Sequence, residues 1–216
     1  MIDLLGKLAA LARAGMQVAP QRLKTDMCAQ FADPDEWIRE YVVNAYDARA
    51  TYCSIHGSET AKSVTVVVED NGRGMDRDRL VDFFTLYRSV KVVDGAPTVG
   101  THGIGKLSVA AVPGQYGFRV ETSTGTEAWR AKAGCLLDEE PIELVRVSPC
   151  KAVRGTRFEV TFERQRPLRK VLLDLARVLQ RYVRFLPIDT VVNVPSSDSS
   201  RAQLVPMSMR KPWFRP

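Results

Sequence analysis

The chain has 216 residues, enough for one well-filled core or for one domain with an appendage. Its 45% apolar and 26% charged content is ordinary for a globular protein, and no apolar run approaches the roughly 20 residues that span a bilayer, which argues against a membrane partner. The net charge of +6 is uneven: residues 1–108 carry 13 basic and 14 acidic side chains, and residues 109–216 carry 18 and 11. The second half therefore suits an acidic partner, nucleic acid included, as readily as it suits a solvated basic surface.

In chain order, MIDLLGKLAALARAG differs from a secretory signal, with Asp3 where basic residues belong and Lys7 and Arg13 interrupting the apolar stretch. Leu4, Leu8 and Leu11, with Leu5 and Ala12, form a helical stripe instead, so residues 1–30 read as a helix and a connection. A second helix starts with Asp33 as N-cap, Pro34 at its first position, and Asp35 and Glu36 at the positive end of the dipole. It is expected to run to about Cys53. VTVVVED (64–70) reads as a central strand, NGRGM as a turn, and DRDRLVDFFTLYRS as a helix with an acidic start.

Residues 88–105, with four glycines and weak periodicity, predict a long mobile loop, and such a loop in a compact domain is usually functional. A short helix, GKLSVAAV, follows. YGFRVETST, EAWRAKAG, IELVRVS and TRFEVTFE read as antiparallel strands, Pro167 to Leu186 as a long helix, and TVVNV as a further strand. Residues 198–216 form a tail or the start of a following domain. Cys28, Cys53, Cys135 and Cys150 lie far apart with no C-x-x-C pair, and His56 and His102 are the only histidines. That spacing argues against a His/Cys metal site and fits reduced cysteines in a cytoplasmic protein.

Four stretches carry chemistry. In EYVVNAYDA, helical spacing stacks Glu40, Asn44 and Asp47 on one face, flanked by Trp37, Tyr41 and Val43. In EDNGRGMD, Asp70 ends a strand and is followed by Gly72 and Gly74, which permit close approach of a flat ligand. A carboxylate there can accept a hydrogen bond from an exocyclic amine. VGTHGIGKLS fits the opening of a Walker A loop from Gly100 to Lys106, but Leu107 stands where that loop needs Ser or Thr. Its backbone N–H groups can still cradle phosphates. RGTRFEV places Thr156 at the start of a strand.

In this order and spacing, the four stretches resemble the nucleotide-binding domain shared by gyrase, the large heat-shock chaperone, sensor histidine kinases and MutL. The family motifs are E-x-x-x-N-A-x-D-A, D-x-G-x-G-M, G-x-x-G-x-G and a late G-T. They correspond here to Glu40–Ala48, Asp70–Met75, Gly100–Gly105 and Gly155–Thr156. The resemblance implies an α+β fold, a two-layer sandwich of the Bergerat type. Its mixed, mostly antiparallel sheet would carry helices on one face over residues 31–197.

The resemblance also implies an ATPase using ATP and Mg²⁺. Asn44 would give an amide oxygen to Mg²⁺, and Glu40 would act as general base on the attacking water. Asp47 and Ala48 would lie toward the nucleoside, Asp70 would take the adenine amine, and Met75 would pack beside the base. Gly72 and Gly74 would shape that turn. Gly100, Gly103, Ile104 and Gly105 would close over the phosphates, and Thr156 would add a hydroxyl near the base. Lys106 either touches a phosphate or faces solvent. Arg88-Ser89-Val90-Lys91 resembles the Ser-x-Lys lid element of MutL-like members, which makes Lys91 a candidate contact.

The implied partners are a second copy in an ATP-dependent homodimer, and a following domain or partner protein supplying a cation to the γ-phosphate. The chain is then a fragment of a larger protein or depends on a partner. Nucleic acid is the further candidate. It would be met by the helix RPLRKVLLDLARVLQRYVRF, where Arg169, Lys170, Arg177, Arg181 and Arg184 accompany an apolar stripe of Val171, Leu175, Val178, Leu179 and Tyr182.

Overall fold

A computed structural model describes residues 33–84, 108–110, 112–136, 141–148, 154–183 and 185–196, and the backbone of 204–208. The N-terminal stripe, the loop 88–105 with Lys91, Gly100, Gly103, Ile104 and Gly105, and also Lys106, Arg184 and the terminal residues after 208 lie outside the described residues.

Eight strands form one sheet: β1 (Tyr52–Glu59), β2 (Ser63–Asp70), β3 (Gln115–Ser123), β4 (Ala128–Ala133), β5 (Glu143–Val147), β6 (Gly155–Glu163), β7 (Asp189–Pro195) and β8 (Leu204–Ser208). Their order is β5-β4-β3-β6-β2-β1-β7-β8. Neighbours run antiparallel except β1 and β7, which are parallel. Among the described residues three helices accompany the sheet: α1 (Trp37–Asp47), α2 (Arg77–Phe84) and α3 (Leu168–Tyr182). This is the mixed α+β sandwich that the sequence implied.

The helices cover one face. α3 packs on β1, β7 and α1, and α2 approaches β4. Trp37, Ile38, Tyr41 and Val42 of α1, and Val171, Leu172, Leu175 and Leu179 of α3, are buried against the sheet. An aromatic cluster fills the middle, with Tyr41 edge-on to Phe158 at 4.7 Å and Phe83 5.4 Å from the same ring. Full burial of each such aliphatic or aromatic side chain contributes about 1.5–3 kcal/mol, so the sheet and its helices stand as one unit.

Strand register decides where this core ends. One helix-facing row across the sheet reads Val192, Ile55, Val68, Phe158, Val120, Ala131 and Leu144, all apolar. Two residues along each strand, the next row reads Thr190, Cys53, Asp70, Thr156, Thr122, Trp129 and Arg146. The apolar core therefore gives way to a polar edge beneath the end of α1.

Four boundaries differ from the sequence reading. α1 stops at Asp47 instead of near Cys53. Arg49 takes a left-handed conformation (φ 63°), and Asn71 accepts the Thr51 and Tyr52 N–H groups at 2.9 Å each, drawing the chain into β1. The start differs too: the Asp33 carboxylate caps a turn through the Asp35 N–H at 2.8 Å, and the regular helix begins at Trp37. α3 ends at Tyr182, four residues before Leu186, where Val183 leaves the helix. The sheet also continues past residue 197, because Leu204–Ser208, read from the sequence as tail, pairs with β7 as the edge strand β8.

Cys53 and Cys135 are free thiols, the first buried with its pKa pushed up by desolvation. Among the described residues no helix is long and apolar enough to cross a membrane.

Candidate functional site

The site grows from the junction of α1 with the segment after β2. One face of α1 is committed to the core, which leaves Glu40, Asn44, Asp47 and Ala48 half-buried along the other. At the helix end the Ala48 N–H donates to the Asn44 carbonyl at 2.9 Å, and the Ala48 carbonyl accepts the Arg73 N–H at 2.9 Å. The helix carrying the stacked polar residues is thereby tied to the glycine-containing turn. Glu40 lies about 12 Å of helix before Ala48 at 1.5 Å rise per residue. Its carboxylate is engaged: Arg39 donates to Glu40 Oε1 from Nη2 at 2.6 Å and from Nε at 3.0 Å.

Asp70 closes β2 at the polar row. Its Oδ1 accepts the Gly72 N–H at 2.8 Å, and the Thr156 backbone N–H also donates to it. Desolvation outweighs these donors and pushes its pKa up to about 6. No cation among the described residues contributes to holding it ionised. A desolvated carboxylate held by N–H donors alone has unused acceptor capacity for a ligand.

The turn after β2 is pressed onto the neighbouring strands. Gly74 adopts φ 69°, and a Cβ there would sit 1.9 Å from the Ser123 carbonyl oxygen. Gly155 adopts φ 131°, and a Cβ there would sit 2.0 Å from the Asp70 carbonyl oxygen. Only glycine permits both approaches. Through them the Met75 N–H reaches the Thr122 hydroxyl at 2.8 Å, and Met75 packs on the edge of the core. Asp76 then caps α2 through the Arg79 N–H at 2.8 Å.

The structure thus brings Ala48, Asp70, Gly72, Gly74, Met75 and Thr156 to one place, with Asn44, Asp47 and Glu40 leading away along α1. Sequence reasoning missed two members. Asn71 is a clamp, accepting from β1 through its oxygen and donating to Thr51 Oγ1 at 2.9 Å. Thr122 contacts Gly155 O at 3.2 Å and Thr156 Oγ1 at 3.1 Å. Alternation of Phe118, Val120 and Thr122 marks it as an inward position on β3, but its partners follow only from the pairing of β3 with β6.

Along the basic helix, part of the positive charge is met by Asp174. Lys170 and Arg177 both pair with Asp174, at 2.9 and 2.8 Å, and Arg166 joins them while bridging to Asp35. Tyr182, at the end of the apolar stripe, is partly exposed and donates to Glu36 Oε1 at 2.9 Å. Among the described residues no cluster of three His, Cys, Asp or Glu side chains offers a metal cage.

Residues 34–129 match the model of a family described as histidine kinase-, DNA gyrase B-, and HSP90-like ATPase. A DNA mismatch repair protein MutL from Anaeromyxobacter sp. strain K is 33% identical over 129 residues, covering 59% of this chain and 20% of that protein. A DNA mismatch repair protein MutL from Anaeromyxobacter dehalogenans matches to the same extent. A chaperone protein HtpG from Nitrobacter winogradskyi is 30% identical over 128 residues, covering 46% of this chain and 20% of that protein. The chain spans about a fifth of the length of the curated relatives it matches.

Proposed function

Because residues 34–129 belong to the histidine kinase-, DNA gyrase B- and HSP90-like ATPase family, we propose that this chain binds Mg·ATP and hydrolyses it slowly. The observation that supports this reading most is the junction at Ala48. It joins a desolvated carboxylate, Asp70, to the end of the helix that carries Asn44 and Glu40. Asp70 recognises the adenine amine, with Thr156 beside it and Met75 against the base. The phosphates run back along α1 toward Glu40.

Asn44 is half-buried on that face, and its amide oxygen is of the hard type that Mg²⁺ prefers, so the residue fits the ion. Mg²⁺ held there would supply charge stabilisation to the triphosphate. Glu40 takes the proton of the attacking water. Gly100, Gly103, Ile104 and Gly105 close over the phosphates, with Lys91 and Lys106 as candidate contacts. That closure couples nucleotide to homodimerisation or to a following domain.

Hydrolysis is measured for the parent and Glu40→Ala side by side, with ATP affinity alongside. The expected result is a drop in turnover of about 100-fold or more, in the range general base catalysis contributes, with affinity within about threefold. Equal turnover removes the base assignment. Light scattering with and without a non-hydrolysable ATP analogue tests the dimer, which is abandoned if the mass stays unchanged.

A second reading has its own support. Arg39 already holds Glu40, which favours a nucleotide-gated module that changes shape without significant hydrolysis. ATP binding with the same residual turnover in both proteins selects it. A DNA-acting role draws on the name of the MutL relatives and on the basic second half, and predicts DNA affinity that falls steeply with salt. The pairing of Lys170 and Arg177 with Asp174 weighs against α3 as that surface.

A further inference from the structure

Thr122 is buried and sits where three segments meet, and its hydrogen bonds can be counted. A hydroxyl has one proton and two lone pairs. The Met75 N–H, at 2.8 Å, occupies one lone pair. The Gly155 carbonyl, at 3.2 Å, can only accept, so that contact requires the Thr122 proton. The contact with Thr156 Oγ1 at 3.1 Å then requires Thr156 to donate into the second lone pair. No other assignment makes all three contacts hydrogen bonds.

The consequence falls on Thr156. Its proton points into the protein, and only lone pairs remain for a ligand. Asp70 is its direct partner across β2 and β6, and an ionised carboxylate also offers lone pairs only. We infer that Thr122 is a specificity-determining positioning residue: by taking the Thr156 proton, it makes the base-recognising pair acceptor-only and selects a 6-aminopurine over a 6-oxopurine. The inference rests on the reading that Asp70 and Thr156 face the base. Against this pair a 6-amino group donates, whereas a 6-oxo group sets acceptor against acceptor with no protein proton to bridge them. A Thr156 hydroxyl released from Thr122 could rotate and supply that proton.

Binding of ATP and ITP with Mg²⁺ to the full chain at pH 8, where Asp70 is ionised, tests this. Thr122→Val removes the hydroxyl at nearly constant shape, and Thr122→Ser retains it. The parent is expected to prefer ATP. Thr122→Val should lower the ATP:ITP affinity ratio about tenfold, the worth of one net hydrogen bond, while Thr122→Ser stays within about twofold of the parent. In a Thr156→Val background, adding Thr122→Val should leave the ratio unchanged, because the effect runs through the Thr156 hydroxyl.

Equal weakening of both nucleotides by Thr122→Val overturns the inference, since Thr122 would then only support the Met75 segment. The same ratio change in the Thr156→Val background overturns it too. If Thr122→Val does not melt cooperatively, Thr122→Ala carries the same expectation. Parent-like ATP binding by Asp70→Asn, or no nucleotide binding by the parent, is a different failure. It overturns the nucleotide reading itself, and this inference with it.

Discussion

Glu69 and Asp70 are neighbours in sequence and lie on opposite faces of the sheet, and the two faces treat charge differently. On the open face, Glu69 pairs with Arg157, Arg157 also with Glu159, Glu159 with Arg119, and Glu121 with Arg130. Cross-strand register makes this possible, since Glu69, Arg157, Glu121 and Arg130 stand directly opposite one another across four strands. On the helix-covered face, Asp70 has only N–H donors among the described residues, and its pKa is raised to about 6. Charges that serve the fold are matched within it. A carboxylate kept desolvated without a counter-charge is costly to the fold, and that cost is the physical mark of a site awaiting a ligand.

The largest effect is expected where the backbone itself carries the comparison. Gly155→Ala places a Cβ 2.0 Å from the Asp70 carbonyl oxygen in a conformation that disfavours side chains. Destabilisation of about 4 kcal/mol or more is expected, at the exceptional end for single substitutions. Denaturant unfolding measures it. A loss below about 1 kcal/mol would mean that β2 and β6 do not meet so closely at this end.

Asp70→Asn comes next and separates function from fold. ATP affinity should fall about 100-fold, as when a buried charge-assisted hydrogen bond loses its acceptor. Fold stability should move the other way. A carboxyl whose folded pKa is raised binds more protons in the folded than in the unfolded protein between the two values, so stability falls as pH rises from about 4 to about 6 and levels off above. The substitution should remove that slope and stabilise the nucleotide-free chain by on the order of 2 kcal/mol at pH 7. Melting temperatures across pH 4–8 read it. A parent whose stability rises over that interval contradicts the sign.

Much of this contrast was legible before the fold was known, and the limits were physical. Alternation in YGFRVETST and TRFEVTFE gave β3 and β6, and the valine run gave β2, because inward positions on a half-buried sheet repeat every two residues. Asp70, Gly72, Gly74 and Thr156 were singled out through the resemblance of four ordered motifs, since D-N-G-x-G alone reads as a turn and a lone Gly-Thr carries no signal. Thr122 was not, since its role arises from the pairing of β3 with β6, and register joins residues 34 apart in sequence. The end of α1 was misjudged because helical spacing continues through Ala50 and Cys53. The stop comes from a left-handed Arg49 and from Asn71, which lies 20 residues beyond Thr51. β8 was missed because a five-residue segment with a central proline reads as an edge or as no strand at all.

The smallest effect tests the other side of the comparison. Arg157 lies on the open face, donating to Glu159 Oε1 from Nε at 3.0 Å and from Nη2 at 2.6 Å, and pairing with Glu69. Its side chain and that of Glu69 are about one-third exposed, 34% and 39%, so solvent screens the attraction. Glu69→Gln should therefore cost less than about 1 kcal/mol in denaturant unfolding, and the loss should shrink further in high salt. ATP affinity should stay within about twofold of the parent, although the altered carboxylate is the immediate neighbour of Asp70. A tenfold loss of ATP affinity in this variant would show that the strand end responds as a single electrostatic unit. The separation between a matched structural face and an unmatched ligand face would then have to be given up.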